Sequence, residues 1–422
     1  MTTPDEISIN PPPPAKAVAA PVVQAERIWS LDVLRGVALL GILVMNIQAF
    51  AMVFAAYVNP HAYGDLTGAN YLVWLLSHIF ADRKFMTIFS MLFGAGIVLM
   101  TTRSEKWTGR SAGLHYRRMT ALLVLGLIHA YLIWDGDILV TYALCGMAVF
   151  PFRRWRPTTL LLTGLILITV GSGITFFFQW TMPHWPAEEV QGLKDDFWQP
   201  SPEYIENAHR LRHGSWLGFL PERAKSAFFL QTFVLLCENL WRVSGLMLAG
   251  MALFKLGVFS TAPSRKTYAA MIIVGLLTGV STIVAGILYR DAVSWDVRRC
   301  FFLGGQFNYW GSIPLAFAWV GAVMLACHTP TLTGLVRRSL AAVGRMAFTN
   351  YLMQSVLCTL LFNGYGLGWF GQVERIGQFG IVLGVWVLQL ILSPLWLRRF
   401  RIGPAEWLWR SLTYGERQRF RR

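Results

Sequence analysis

Long apolar runs are the feature that most constrains this chain. Stretches of twenty residues or more, such as 36–58, 158–180 and 375–397, contain almost no charged side chain, and a helix of about that length crosses the ~30 Å hydrocarbon core of a bilayer. Of all 422 residues, 55% are hydrophobic and only 14% are charged, against roughly 25% in soluble domains. A soluble multi-domain enzyme and a disordered protein are both excluded. The pattern predicts an all-α polytopic membrane protein whose partner is the lipid bilayer.

About ten segments are predicted to cross the membrane. The second and the sixth are unusually long and carry charges in mid-run, at Asp82–Lys84 and at Glu238 and Arg242. Charge that faces lipid is costly, so we expect these two to be broken or strongly tilted helices that line a cavity. The predicted spans are 36–58, 69–102, 119–134, 137–152, 158–180, 223–258, 267–289, 303–327, 339–362 and 375–397.

Loop charges predict the orientation of these spans. The chain has 37 Lys and Arg against 22 Asp and Glu, a net charge of +15. This excess follows from the enrichment of basic residues in cytoplasmic loops, so we expect no nucleic-acid partner. The basic stretch 103–118 is predicted inside, and the acidic loop 181–222, with seven acids and three bases, outside. Both termini are then cytoplasmic. Only 290–302 departs from the rule.

The chain is predicted to form a single transmembrane domain over residues 26–415. The first 25 residues contain a four-proline run and no apolar segment of a signal peptide, so they predict a disordered cytoplasmic tail. Residues 416–422 form a short basic tail. The five cysteines show no CxxC pair, so we expect neither a disulfide framework nor a metal site.

One face of the first span is polar. At 100° per residue, Asp32, Arg35 and Asn46 fall within about 60° of one another. The pattern has two interpretations: an Asp–Arg pair that holds the helix in the bundle, or an anion or cofactor site at the cytoplasmic mouth, where Arg suits phosphate.

The second span combines three adjacent charges with glycines. Asp82, Arg83 and Lys84 cannot all face lipid, and Leu92-Phe93-Gly94-Ala95-Gly96 follows them. One interpretation is a helix break with mutual ion pairing. The other places Lys84 and Arg83 against an anionic substrate inside a cavity.

The densest signal is a predicted hairpin between the third and fourth spans. His129 lies about a turn and a half, some 8 Å, below a tip formed by Asp135-Gly136-Asp137. A histidine oriented by a carboxylate can act as a general base. The alternative is a histidine that merely hydrogen-bonds between helices. His61 and His78 are reserve candidates for the base.

The sixth and ninth spans carry further polar groups. Glu238 and Arg242 are four residues apart and indicate an ion pair on one helix face. In the ninth span, Arg345 and Asn350 lie on two different polar edges. Hydrogen bonding between helices is one explanation, and stabilisation of an oxyanion is the other.

These motifs resemble a known family. LDVLRGVALLGILVMN, KFMTIFSMLFGAG, HAYLIWDGDIL, GRMAFTNYLMQ and GPAEWLWRSLT are similar to the YeiB-type bacterial inner-membrane proteins, catalogued as domain of unknown function 418. The resemblance covers about residues 27–415. The LDxxRG opening is also distantly similar to heparan-α-glucosaminide N-acetyltransferases and acyltransferase-3 proteins, which move an acyl group from acyl-CoA with a membrane-embedded histidine. By position, the histidine of the heparan enzymes corresponds to His61.

The resemblance implies an acyl-CoA-dependent O- or N-acyltransferase of the inner membrane. Asp32, Arg35, Asn46, Lys84 and Arg345 are the expected acyl-CoA-binding residues, and the basic stretch 103–118 is a further candidate to meet the phosphates. The catalytic set is His129 as base, Asp135 or Asp137 to orient it, and Asn350 toward the oxyanion. The acceptor is an envelope sugar, lipid or small molecule, no metal is expected, and a homodimer is left open. The alternative is a proton-coupled transporter or exporter, since intramembrane charges serve that role too.

Overall fold

The chain forms a bundle of helices. The computed structural model describes residues 28–108, 111–260, 262–328 and 334–422, so the predicted tail over residues 1–25 lies outside it. No β-strand occurs in these ranges. The α-helices are α1 (Trp29–Ala51), α2 (Ala55–Val58), α3 (Gly68–Phe80), α4 (Lys84–Thr108), α5 (Ala112–Leu132), α6 (Leu139–Val149), α7 (Pro157–Thr181), α8 (Ala187–Leu193), α9 (Pro202–His213), α10 (Trp216–Phe229), α11 (Leu240–Lys255), α12 (Arg265–Ala292), α13 (Val297–Arg299), α14 (Gly305–His328), α15 (Gly334–Arg345), α16 (Ala347–Phe362), α17 (Arg375–Arg399) and α18 (Pro404–Tyr414).

The predicted all-α polytopic membrane fold is confirmed. Within the described ranges, seven helical segments are long and apolar enough to span a bilayer. The other three predicted spans are helical too, but α6 and α16 are short, with 11 and 16 residues, and α5 begins with charged turns. The seven segments are Trp29–Ala51, Gly68–Glu105, Pro157–His184, Trp216–Lys255, Arg265–Ala292, Val297–His328 and Arg375–Arg399.

The two long spans differ in how they accommodate their charges. The second is broken between α3 and α4, where Arg83 adopts a left-handed φ of 63°. The sixth is not broken, because a π-helical stretch over Leu230–Asn239 joins α10 to α11. A π-helical turn adds a residue per turn without losing the backbone hydrogen bonds, so the helix crosses its charged region intact.

Other predicted boundaries move in physically clear ways. The first span begins at Trp29 rather than at 36, since Asp32 and Arg35 lie inside the helix. The ninth is split at Met346 into an amphipathic α15 and an apolar α16. The segment 181–222, predicted as an outer loop, folds into α8, α9 and the start of α10.

Two helices form the centre of the bundle. The helix α1 packs against α4, α15, α16 and α17, and α11 packs against α4, α6 and α7. The helices α7, α12 and α17 are largely exposed, with apolar side chains such as Ile166, Leu277 and Val387 on their outer faces. In a membrane those faces meet lipid.

Glycines allow α1 and α15 to touch backbone to backbone. A Cβ atom on Gly36 would collide with the Leu340 carbonyl, and one on Gly344 with the Asp32 carbonyl. Both glycines are neighbours of arginines, Arg35 and Arg345. The close approach therefore brings the two guanidinium-bearing segments together at one end of the bundle.

Candidate functional site

The strongest catalytic geometry is a buried histidine–carboxylate pair. His129 Nδ1 lies 2.8 Å from Asp137 Oδ1, and both side chains are almost fully buried. The second oxygen, Asp137 Oδ2, accepts the Val140 N–H in the first turn of α6 at 2.9 Å. The carboxylate is thus held between α5 and α6.

This pairing fixes the chemistry of the imidazole. An ionised carboxylate only accepts hydrogen bonds, so the tautomer of a neutral imidazole that fits this contact has its proton on Nδ1 and its lone pair on Nε2. Nε2 is buried and has no hydrogen-bond partner among the described residues. A buried nitrogen lone pair backed by a carboxylate is the arrangement of a general base.

Aromatic rings surround His129. The Tyr351 ring centroid is 5.2 Å from the imidazole centroid, and the Trp134 ring meets it edge-on at 6.4 Å. Trp134 in turn stacks on Phe50 at 4.2 Å, near the end of α1. The base therefore lies where α1, the α5–α6 hairpin and α16 meet.

A cavity opens next to this cluster. It has a volume of about 300 Å³, at the lower end of the range for small-molecule sites. Segments of α1, α4, α5, α6, α15–α16 and α18 line it. Tyr351 belongs to its wall, and its ring also neighbours His129, which is not itself among the wall residues described. Tyr351 is thus adjacent both to the cavity and to the predicted base.

Four half-buried arginines line the cavity, and we call them the arginine rim: Arg35, Arg118, Arg345 and Arg410. Arg35 Nη1 is 3.2 Å from Asp32 Oδ1, yet its side chain remains 30% exposed. The Arg118 guanidinium lies over the Trp409 ring, 4.5 Å from its centroid. These contacts hold cationic groups in place while part of their surface stays open.

Away from the rim, the cavity wall is apolar. Its exceptions include two tyrosines, Tyr142 and Tyr351. The Tyr142 hydroxyl is 3.3 Å from Ser90 Oγ and 3.4 Å from the Met86 carbonyl. The wall is otherwise formed mainly by Leu39, Ile42, Phe89, Leu92, Phe93, Leu99, Leu122, Ile138 and Leu139.

A carboxylate from α18 completes the wall by capping α16. Glu406 accepts the Phe348 N–H at 2.8 Å, the Thr349 N–H at 3.2 Å and the Thr349 hydroxyl at 2.5 Å. The Thr349 hydroxyl oxygen accepts the Ala405 N–H at 3.1 Å. The first turns of α16 and α18 therefore satisfy each other's free N–H groups.

Comparison with known proteins identifies the family. The sequence profile described as "Protein of unknown function (DUF418)" matches residues 253–416. The chain is 34% identical over 397 residues to the uncharacterized protein YeiB of Escherichia coli (strain K12), covering 92% of this chain and 96% of that protein. The chain belongs to the YeiB-type DUF418 family.

Two further relatives support membership in the DUF418 family. The uncharacterized protein YxaH of Bacillus subtilis (strain 168) is 34% identical over 407 residues, with 93% of this chain and 96% of YxaH covered. An uncharacterized 39.9 kDa protein from the amylase 3′ region of Bacillus acidopullulyticus is 28% identical over 397 residues.

Only some of the residues predicted to bind acyl-CoA lie together in the structure of this DUF418 protein. Asp32, Arg35 and Arg345 line the cavity. Asn46 is half-buried on α1, beyond Ile42, the last residue of α1 in the wall. Lys84 is fully buried elsewhere, with its Nζ 2.7 Å from both the His78 carbonyl and Asn308 Oδ1. A phosphate in the cavity would not reach Lys84.

The predicted catalytic residues are also divided. Asp137 rather than Asp135 pairs with His129, and its other carboxylate oxygen accepts the Val140 N–H at the start of α6. Asp135 lies within electrostatic range of Arg212 instead. Asn350 donates to the Val343 carbonyl at 3.2 Å and to Ser393 Oγ at 3.0 Å. It therefore serves the α16–α17 contact and is not part of the cavity wall.

The reserve histidines lie in other surroundings. His61 is exposed, with its ring centroid 5.1 Å from that of Trp295. His78 is buried, with its Nδ1 3.3 Å from Asp82 Oδ2. Neither lines the cavity.

A second group of charges surrounds the break between α3 and α4, and we call it the charge network: Asp82, Arg83, Lys84, Glu238 and Arg242. Asp82 accepts from Asn308 Nδ2 at 2.6 Å and from the Tyr57 hydroxyl at 3.2 Å. Arg83 forms an ion pair with Glu238 rather than Glu238 pairing with Arg242 as predicted. Fully buried Arg242 donates to the Tyr309 carbonyl and the Ser312 hydroxyl, each at 2.8 Å.

Sequence reasoning did not single out the wall residues Tyr351, Glu406 and Arg118. Tyr351 and Glu406 lie within motifs that carried the family resemblance, GRMAFTNYLMQ and GPAEWLWRSLT. Arg118 belongs to the basic stretch 103–118, which is expected as a whole to face the cytoplasm and to meet the phosphates of CoA. Only the packing of α5, α16 and α18 around one space distinguishes these residues from their neighbours. No group of three or more metal-ligating side chains was found in the described ranges.

Proposed function

We propose that this protein is a membrane-embedded acyltransferase that moves an acyl group from cytoplasmic acyl-CoA to an envelope sugar, lipid or small molecule. The observation that supports the proposal is the position of the cavity beside the predicted base. Its arginine rim suits an anionic head group, and its wall includes Tyr351, whose ring neighbours His129 of the His129–Asp137 pair.

The rim supports binding of the phosphates of CoA. Guanidinium groups bind phosphate oxygens through paired N–H donors and keep their charge at any physiological pH. Arg35 is oriented by Asp32 and Arg118 by Trp409, so little side-chain entropy is lost when the ligand binds.

The chemistry then follows from the base. His129 Nε2 takes the proton of the acceptor hydroxyl or amine as the acceptor oxygen or nitrogen bonds to the thioester carbonyl carbon. The carbon–sulfur bond of the tetrahedral intermediate breaks, and the sulfur leaves as a thiolate that receives the proton from the imidazolium. Asp137 stabilises that imidazolium. Tyr142 and Tyr351, two tyrosines of the cavity wall, replace Asn350 as the candidates to donate a hydrogen bond to the oxyanion.

The proposal includes the location of the reaction. We infer a bacterial inner membrane with both termini in the cytoplasm, since the arginine rim then faces the compartment that contains acyl-CoA. A homodimer is compatible with this arrangement.

The test is thermal melting of the detergent-purified protein with acetyl-CoA and longer acyl-CoAs. A ligand that binds only the folded state stabilises it by about 2.7 kcal/mol at a hundredfold excess over Kd. We expect an increase in Tm for the wild type, a loss of that increase in Arg35→Ala, and an unchanged increase in Arg398→Ala, a basic residue outside the cavity. A folded wild-type protein whose Tm responds to no acyl-CoA would refute the proposal.

One observation favours a proton-coupled transporter or exporter as the second candidate. The charge network buries several ionisable groups at a helix break, which is a common feature of transporters. Uptake or efflux by proteoliposomes with a pH gradient discriminates the two functions. A transporter loses transport in Asp82→Asn, whereas an acyltransferase shows no gradient-driven flux in any variant.

A further inference from the structure

Two glycines of the Leu92–Gly96 stretch have opposite surroundings. A Cβ atom on Gly94 would collide with the backbone of Met247 in α11. Gly96 is half-buried and lines the cavity, and a Cβ atom there would meet no heavy atom of the described residues within 4 Å. Gly94 therefore serves helix packing, and Gly96 borders open space.

Packing does not explain the glycine at position 96. Glycine inside a helix is less favourable than alanine, because the unfolded backbone gives up more freedom. Gly344, the other glycine of the cavity wall, allows the close contact with the Asp32 carbonyl. Gly96 makes no such contact. What its missing side chain provides is width in the cavity.

Along α4, Gly96 lies between the level of the arginine rim and the level of Tyr142. Met100, one helical turn from Gly96, has its sulfur 3.0 Å from an Arg118 nitrogen. Phe89, two turns away in the other direction, also lines the cavity, and Met86 beyond it accepts from the Tyr142 hydroxyl. Along α4, Gly96 is therefore about 6 Å from the level of the rim and about 10 Å from the level of Phe89.

We infer that Gly96 is a specificity-determining residue, over which the pantetheine arm of CoA passes from the arginine rim toward Tyr351. The inference rests on the proposed function. CoA combines a head that carries several phosphates with one long, thin arm, which matches a cationic rim above a mostly apolar passage, the part of the cavity beside Gly96. Any side chain larger than that of alanine at position 96 would narrow this passage.

The experiment separates the head from the arm. Binding of CoA and of adenosine 3′,5′-bisphosphate, which has phosphates but no arm, is measured by calorimetry for Gly96→Ala, Gly96→Leu and Gly96→Phe. We expect all three variants to bind the bisphosphate as the wild type does. We expect CoA to bind about tenfold or more weakly to the Leu and Phe variants, since overpacking costs that much, and nearly normally to the Ala variant.

The matched control is Gly384→Leu. Gly384 is an exposed glycine of α17 at which a Cβ atom also meets no described atom within 4 Å, but it does not line the cavity. This variant should bind both ligands normally. Melting without ligand verifies that each variant is folded.

Three outcomes would overturn the inference. Wild-type affinity of Gly96→Leu for CoA would mean that the arm does not pass this position. An equal loss of affinity for CoA and for the bisphosphate in a folded Gly96→Leu variant would mean that residue 96 affects the arginine rim itself. A co-purified phospholipid, detected by native mass spectrometry and lost in Gly96→Leu while CoA affinity is unchanged, would assign the passage to a lipid. If the wild type binds neither ligand, the proposed function fails instead.

Discussion

The proposed chemistry depends on one atom, Nε2 of His129. Replacing this histidine by alanine removes the proton acceptor and leaves the arginine rim unchanged. We expect His129→Ala to lower acyl transfer by about 10²–10⁴-fold while the Tm increase with acyl-CoA persists. Asp137→Asn should also lower transfer, because the amide does not hold the imidazole in the required tautomer. Both are measured as transfer of radiolabelled acyl groups to envelope extracts.

Two other histidines supply the controls. His115 is a second buried histidine of α5, where its Nε2 lies 3.0 Å from the Gly146 carbonyl, and His115→Gln should retain transfer. His61→Ala removes the residue that corresponds to the histidine of the heparan enzymes, and we expect transfer to persist. Full activity in His129→Ala together with inactivity in His61→Ala would move the base to the exposed residue.

For single residues, a contact could be predicted from the sequence only where its two partners lie close together along the chain. His129 and Asp137 are eight residues apart around a tight turn, so their pairing followed from the hairpin. Lys84 and Asn350 could be placed on polar helix faces, but not on the faces that turn toward the cavity. That choice depends on partners such as Asn308 and Ser393, which lie 224 and 43 residues away.

Among the helices, the contact between α16 and α18 gives a prediction about stability. Glu406→Ala leaves the Phe348 and Thr349 N–H groups without their acceptor, and the loss of such a cap costs about 1–3 kcal/mol. We expect a lower Tm in detergent. Glu416→Ala, at an exposed position beyond α18, should leave Tm unchanged. Equal Tm values for both variants would contradict the capping role.

The same carboxyl predicts a pH dependence. Burial raises the pKa of Glu406 above its ordinary value, so the folded protein holds this proton more tightly than the unfolded chain does. Stability therefore falls as the pH rises from the ordinary carboxyl pKa, about 4.3, through the raised one. Glu406→Gln cannot titrate, so its Tm should fall less than that of the wild type over this range. Parallel Tm curves would contradict the prediction.

The ion pair between Arg83 and Glu238 joins the start of α4 to the π-helical stretch. Both side chains are more than a quarter exposed. We therefore expect Arg83→Gln or Glu238→Gln alone to lower the free energy of unfolding by about 1–3 kcal/mol, a cost between that of breaking a surface ion pair and that of breaking a buried one. The double variant should be less destabilised than the sum of the two, because no unpaired charge remains. Additive losses in denaturant unfolding would show that the pair is not coupled.

The helices could largely be predicted from the sequence, whereas the breaks between them could be predicted only in part. Apolar length alone predicts α7, α12 and α17, because lipid surrounds them on most sides. The break before α4 followed from three adjacent charges. The division of the ninth span at Met346 did not, because the acceptor that allows a new helix to start there is Glu406, 60 positions further along the chain.

For the whole molecule, the prediction concerns orientation. Gln191→Cys in α8 and Glu416→Cys beyond α18 both place a thiol at an exposed position. With a membrane-impermeant maleimide, we expect labelling of Gln191→Cys in intact spheroplasts and of Glu416→Cys only after lysis. The wild type serves as the background control, because three of its five cysteines, Cys145, Cys300 and Cys358, are buried. The reverse pattern would place the arginine rim outside, away from acyl-CoA.

The position of α18 in the chain has a consequence for biogenesis. This helix supplies Glu406, Trp409 and Arg410 to the cavity wall, and it follows every other element of that wall in the sequence. During translation, all seven long spans can enter the bilayer while the wall still lacks one side. The nascent protein therefore completes the cavity only after residues 404–414 have left the ribosome, and we expect a chain stopped at 403 to insert into the membrane without the proposed acyl-CoA site.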